Sequence, residues 1–222
     1  LKAPPIRLIR ACAVWSGATP GIPWPERKTI LTVGRFFAEG HNKRQDVVIE
    51  AFRRIAETGT TGVDLALAGA IHPSPEGRRR FNELQALAKG LDCAFFPNIA
   101  RGDLAALYER SAVLIHATGF GVDGDEFPER LEHWGITPIE AASFGCIPVV
   151  YGRGGPREVV DVLGCDTAFL SVDQCAQIVS DLLQDPAGST ALSEHVRETC
   201  QAYSEESYAT AIGDSLRELG VL

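Results

Sequence analysis

Residues 132–151 read Glu132-His-Trp-Gly135-Ile-Thr-Pro-Ile-Glu140-Ala-Ala-Ser-Phe-Gly145-Cys-Ile-Pro-Val-Val150-Tyr151, a helical segment followed by a short apolar run. Thr137, Pro138 and Glu140 fit the cap, first and third positions of a helix over 137–144. The run Ile147–Tyr151 is of strand length and apolar throughout. Upstream the same alternation repeats, with strands expected at Thr29–Val33, Val63–Ala68, Asp92–Phe96 and Ala112–His116 and helices near 43–57, 76–89 and 103–110. Strands alternating with longer helical segments build βαβ units, so the fold class is α/β, a Rossmann-like, doubly wound parallel sheet. Right-handed crossovers put helices on both faces and ligands at the carboxyl ends of the strands. Beyond residue 172 extra C-terminal helices are expected near 173–185, 190–202 and 204–219, broken at Asp185-Pro-Ala-Gly188.

Composition narrows the function. The formal charge of −8 opposes non-specific nucleic-acid binding, which needs a broad basic field, so no nucleic-acid partner is expected. No apolar run approaches the roughly 18 residues of an integral membrane span, and no signal peptide opens the chain. A cytoplasmic location follows, with peripheral membrane contact through a further domain left open. The six cysteines contain no Cys-x-x-Cys pair, which favours reduced thiols and no structural zinc. Residues 1–27, rich in proline, read as a linker or N-terminal extension, and residues 28–222 as the domain proper. The absence of methionine and the abrupt opening Leu1-Lys-Ala-Pro-Pro5 fit an excised domain and equally N-terminal processing.

Two loops at strand ends carry chemistry. After the first strand comes Gly34-Arg35, then Asn42-Lys43-Arg44-Gln45, where Asn42 and Gln45 fit a helix cap with both cations in the first turn. Cations oppose the helix dipole there, so a diphosphate at that terminus would explain them, and a solvated basic patch is an equal reading. In the second loop Gly135 leaves backbone N–H groups open to an anion or a sugar hydroxyl. The carboxylates of Glu132 and Glu140 suit vicinal hydroxyls, although Glu140 alone could be half of a capping box.

The order Gly34-Arg35, Lys43, Gly69, Asn98-Ile99, Tyr108, Glu132 to Glu140 and Gly154-Gly155-Pro-Arg-Glu158 resembles the C-terminal, donor-binding domain of family-four glycosyltransferases, over about residues 28–220. That family is retaining and has the GT-B fold, of which this domain is one half. The resemblance implies that Arg35 and Lys43 bind the donor diphosphate, Glu132 the transferred sugar and Glu140 the ribose hydroxyls. It also implies that Gly34 and the amides of Gly135, Ile136 and Thr137 meet phosphate and sugar, and that Asn98 and Ile99 lie by the nucleobase. Arg35, Lys43 and Glu132 are thus the catalytic candidates. The donor is a UDP-, GDP- or ADP-sugar, and no other cofactor and no metal are expected. The other partner is the enzyme's own N-terminal acceptor domain, absent from this sequence. A sugar-nucleotide epimerase half and a non-catalytic nucleotide-sugar-binding module are the alternative readings.

Several features depart from the pattern or compete with it. Residues 117–131 intervene where a short loop is usual, either as a lid or as a tolerated surface insertion. Asp123-Gly-Asp125 within them matches a metal-binding tripeptide of another glycosyltransferase fold, without the surrounding pattern. Trp134 stands where phenylalanine is usual. Asp103, in Arg101-Gly-Asp103, is placed to cap a helix, and His116 reads as a packed or rim histidine.

Overall fold

A computed structural model describes residues 11–18, 21–37 and 42–221. Six parallel strands form one sheet in the order β3-β2-β1-β4-β5-β6. They are β1 (Thr29–Val33), β2 (Asp64–Gly69), β3 (Cys93–Pro97), β4 (Ser111–His116), β5 (Ile147–Tyr151) and β6 (Ala168–Phe169). Five match the sequence reading within a residue. The sixth, two residues long, carries no periodic signal and exists because Val150 and Tyr151 pair with it. The order reverses between β1 and β4, so the crevice at their carboxyl ends is where a doubly wound sheet takes its ligand.

Helices α1 (Gln45–Glu57), α2 (Pro75–Leu87), α3 (Arg101–Arg110), α4 (Ile136–Ser143) and α5 (Gly155–Leu163) make the crossovers, and α6 (Val172–Gln184), α7 (Pro186–Thr199) and α8 (Glu205–Glu218) follow β6. The central strands read as continuous apolar runs because both faces are covered, and all six residues of β4 are buried. Ile30, Val48, Ile55, Leu65 and Ile115 fill one face, and Leu31, Leu107, Tyr108 and Phe144 the other. All six cysteines are free thiols, and burial pushes Cys146 and Cys175 up to about 12, which leaves them unreactive as nucleophiles. No described helix is long and apolar enough to cross a membrane.

The expected helices start within four residues of the sequence reading, and at four of them the difference in start or cap has a local reason. Arg44, not Asn42, caps α1, in a left-handed conformation (φ 49°), and the Asn42 side chain accepts from the Arg44 amide at 2.9 Å in a turn that stops short of the helix. Lys43 therefore precedes the first turn. Helix α3 starts at Arg101 after Ala100, which places Asp103 inside the first turn and not at the cap. Helix α4 starts at Ile136 with Gly135 as its cap, so neither Thr137 nor Glu140 takes part in a capping box. Helix α7 starts at Pro186 because Asp185 caps it, accepting from the Gly188 amide at 3.0 Å.

Part of the segment first read as linker or extension packs into the domain. Trp24 is buried and donates through Nε1 to the Ala112 carbonyl at 3.0 Å. Arg27, only 3% exposed, gives its guanidinium to the carbonyls of Ile22, Ser111 and Phe144. A buried charge is tolerable only with such partners. Trp15 stacks edge-on against Tyr108 and Phe144. Helix α8, by contrast, buries no residue and leaves Tyr208 and the Leu219 that follows it exposed.

Candidate functional site

The crevice at the switch point is assembled from the ends of β1 and β4 and the start of α4. Gly34 follows β1 and must be glycine on steric grounds, since a Cβ there would lie 2.6 Å from Lys43 Cγ. The closeness brings Lys43 over the strand end. Gln45 fixes the same corner: it is buried and donates to the carbonyls of Gly34 and Arg35 at 3.2 and 3.1 Å. Arg35 is exposed at the rim.

Lys43 Nζ forms an ion pair with Glu132 Oε2, the two side chains being about one-fifth exposed. Sequence reading assigns these residues to diphosphate and sugar; the structure brings them into contact with each other. Glu132 is held from behind by the β5–α5 loop, where Gly155 donates to the Glu132 carbonyl at 2.8 Å. A Cβ at Gly154 or Gly155 would come within 2.5 Å of the carbonyl oxygens of Glu132 and His133 respectively. These two glycines thus serve close backbone approach.

The start of α4 is open. Gly135 adopts φ 91°, which a side chain would strain, and no side chain caps the helix. Of the four amides without an intrahelical acceptor, that of Pro138 does not exist, so Gly135, Ile136 and Thr137 present the remaining N–H groups. Ile136 is 54% exposed, and Thr137 is turned inward, its hydroxyl 3.2 Å from His116 Nδ1. Helix dipole, open amides and Lys43 all favour an anion here.

Glu140, one turn further along, has a separate environment. Its Oε2 accepts from the buried Tyr108 hydroxyl at 3.0 Å. Burial raises the Glu140 pKa, while the Tyr108 hydrogen bond and the charge of Arg101 pull it down. Arg101 itself lies over the Trp15 ring at 4.0 Å. The nucleobase candidates Asn98 and Ile99 split. Asn98, at φ 54°, spends its side-chain oxygen on the Ile71 amide at 3.1 Å and so ties two loops together. Ile99 is half-buried beside the Trp15 and Tyr108 cluster and lines a shallow cavity of about 390 Å³ with Phe96 and Leu107.

The 117–131 segment is packed at its base. Phe120 sits against Tyr151 and Phe169, and Arg44 donates to the Phe120 carbonyl. Asp123 Oδ1 accepts from the amides of Asp125 and Glu126 at 3.0 and 3.2 Å, a turn within its own loop. Among the described residues no group of three or more His, Cys, Asp or Glu could hold a metal ion. Sequence reasoning missed Tyr108 and His116 as partners of the two glutamates. Their only signal was position, a helix end and a strand end that the topology turns toward α4.

The sequence profile described as glycosyl transferases group 1 matches residues 22–204. No match is found among curated proteins. Among solved structures, the chain is similar to sucrose-phosphate synthase from Thermosynechococcus elongatus, with 24% identity, a TM-score of 0.62 and coverage of 88% of this chain and 46% of that one. It is similar to Anabaena HepE in complex with UDP and glucose at 15% identity and a TM-score of 0.67, over 87% of this chain and 49% of that one. It is also similar to TarM of S. aureus at 13% identity and a TM-score of 0.68, covering 97% and 40%. These relatives have the GT-B fold, and the likeness extends to the Rossmann-like sheet and its C-terminal helices. The chain spans less than half the length of each.

Proposed function

The chain belongs to the glycosyl transferases group 1, and on that footing we propose that it is the donor-binding domain of a retaining, metal-independent glycosyltransferase. The enzyme transfers a hexose from a UDP-, GDP- or ADP-sugar to the hydroxyl of an acceptor held by a second domain. The observation that carries this reading is the Lys43–Glu132 pair standing beside the uncapped start of α4, at the point where the strand order reverses. A cation and open amides suit a diphosphate, and a carboxylate next to them suits the sugar attached to it.

Departure of the nucleoside diphosphate builds negative charge on the β-phosphate. Lys43, Arg35 and the amides of Gly135, Ile136 and Thr137 stabilise that charge by preorganised electrostatics, roughly 3 kcal/mol for each well-placed donor. Glu132 then orients the sugar hydroxyls, and Glu140, steadied by Tyr108, takes the ribose hydroxyls. No protein nucleophile is needed if acceptor and leaving group share one face of the sugar and the departing phosphate takes the acceptor proton.

Calorimetric titration with UDP, GDP, ADP and their sugars in EDTA tests the reading. One of the three series should bind; none binding would overturn it. Assay of the chain together with its second domain separates the alternatives by product: transferred sugar, an epimer, or neither.

A further inference from the structure

The end of the sheet opposite the crevice carries a second cavity, of about 220 Å³, between the turn that leads into β1 and one face of α7. Its lining includes Trp24, Arg27, Gly145, Ser193, Glu194 and Arg197. Ser193 and Glu194 stand four and three residues before Arg197, so all three share one side of the helix. Arg27 precedes β1 and bonds to the carbonyl of Ser111, the first residue of β4. The length of a strand, roughly 17–20 Å, therefore separates this cavity from the donor site at the carboxyl ends of β1 and β4.

Arg27 is bonded on only part of its guanidinium. Of its N–H groups, that of Nε goes to the Ile22 carbonyl at 2.9 Å and those of Nη1 to the carbonyls of Ser111 and Phe144 at 3.3 and 2.9 Å. Nη2 has no hydrogen-bond partner among the described residues, although Arg27 is buried. It lies on the cavity wall, since a Cβ at Gly145 would stand 3.8 Å from it. Among the described residues neither Arg27 nor Arg197 forms an ion pair. Burial lowers the Arg27 pKa, and Glu109 offsets this only from a distance. Carbonyl dipoles thus hold a buried charge whose counterion is missing, a costly condition. Ser193 cannot supply a donor to an anion here, because its hydroxyl proton goes to the Gly145 carbonyl at 2.6 Å.

We infer that this cavity binds the phosphate monoester of a small molecule, its phosphoryl oxygens held between Nη2 of Arg27 and the guanidinium of Arg197. One guanidinium fork takes a flat carboxylate by itself; two arginines from two walls suit a tetrahedral oxyanion, whose oxygens point in separate directions. The volume equals that of about seven waters, which encloses a phosphoryl group and part of what it esterifies. Glu194, exposed at the rim, opposes the anion and favours a single phosphate over a diphosphate. The site is independent of the donor reading proposed above.

Titration of the nitrogen-15-labelled protein with inorganic phosphate and with glycerol phosphate tests it. The side-chain signals of Arg27 and Arg197 and the Gly145 amide should shift together and saturate. Arg197→Gln, at a half-buried helical position, should weaken binding about tenfold or more, and Glu194→Gln should tighten it a few-fold. Arg27→Lys keeps a charge but loses the free Nη2 edge, and should weaken binding as well; should its lost carbonyl bonds prevent folding, the Arg197 variant decides alone. Lys43→Ala should leave the shifts at Arg27 in place, which separates this cavity from the donor site. Shifts confined to Gly135, Ile136 and Thr137, an affinity unchanged in Arg197→Gln, or no saturation at millimolar phosphate overturns the inference. Acetate binding as tightly as phosphate overturns the ligand class.

Discussion

The hydroxyl of Tyr108, a side chain with no exposed surface, donates to Oε2 of Glu140 at 3.0 Å across the gap between α3 and α4. Tyr108→Phe removes the donor and leaves a half-buried carboxylate one partner short. The variant should lose about 1–3 kcal/mol of stability in denaturant titrations and bind nucleoside several-fold more weakly. Glu140→Gln separates the two effects, because an amide oxygen still accepts from Tyr108 but serves two ribose hydroxyls poorly. Its melting temperature should stay close to wild type while nucleoside affinity falls. Unchanged affinity would take Glu140 out of the ribose site.

Lys43 and Glu132 compete with the donor for each other. Arg35→Ala and Lys43→Ala should each weaken nucleoside diphosphate binding by about 1.5–3 kcal/mol, with little effect on the nucleoside. Glu132→Gln should act in the opposite direction on the same assay: Lys43 is released from its ion pair, so diphosphate binds a few-fold tighter while sugar transfer is lost. Calorimetry on the three variants checks both signs. Equal losses for nucleoside and diphosphate would remove Arg35 and Lys43 from the phosphate.

Acid should destabilise the domain through His116. Its folded pKa, about 4, lies below the unfolded value of 6.5, so between these the unfolded chain binds a proton that the folded chain excludes. The stabilisation is complete above pH 6.5 and is lost as pH falls toward 4, by roughly 3 kcal/mol at the limit. Lys43 and Glu132 are the charged groups facing the ring. His116→Gln should flatten that part of the stability profile; an unaltered slope would assign the acid sensitivity elsewhere.

Nucleoside diphosphate affinity should be the same in EDTA and in millimolar magnesium or manganese. Asp123 spends an oxygen on the amides of Asp125 and Glu126 in its own loop. Affinity that needs the metal would return those two residues to the site.

The central strands were legible because they are buried on both faces and so appear as uninterrupted apolar runs; β6, two residues of pairing with no pattern of their own, was not. Helix starts were the weak point. Asn42, Asp103 and Thr137 have the right chemistry for caps, but the chain enters α1 through a left-handed Arg44 and α4 through Gly135, geometries set by contacts between distant loops. Arg35, Lys43, Glu132 and Glu140 stand out as candidates by type and spacing. Their partners could not, since Lys43 meets Glu132 across 89 residues and Tyr108 meets Glu140 across 32.

The bond from the Gly155 amide to the Glu132 carbonyl has an evolutionary side. Because the backbone of Glu132 is riveted to the start of α5, the exposed tip of the 117–131 segment beyond Phe120, whose ring is packed in the core, can change its sequence without carrying the carboxylate along. The fold thereby separates an exposed rim free to drift from a part that must stay put, and Gly154 and Gly155 mark the line between them.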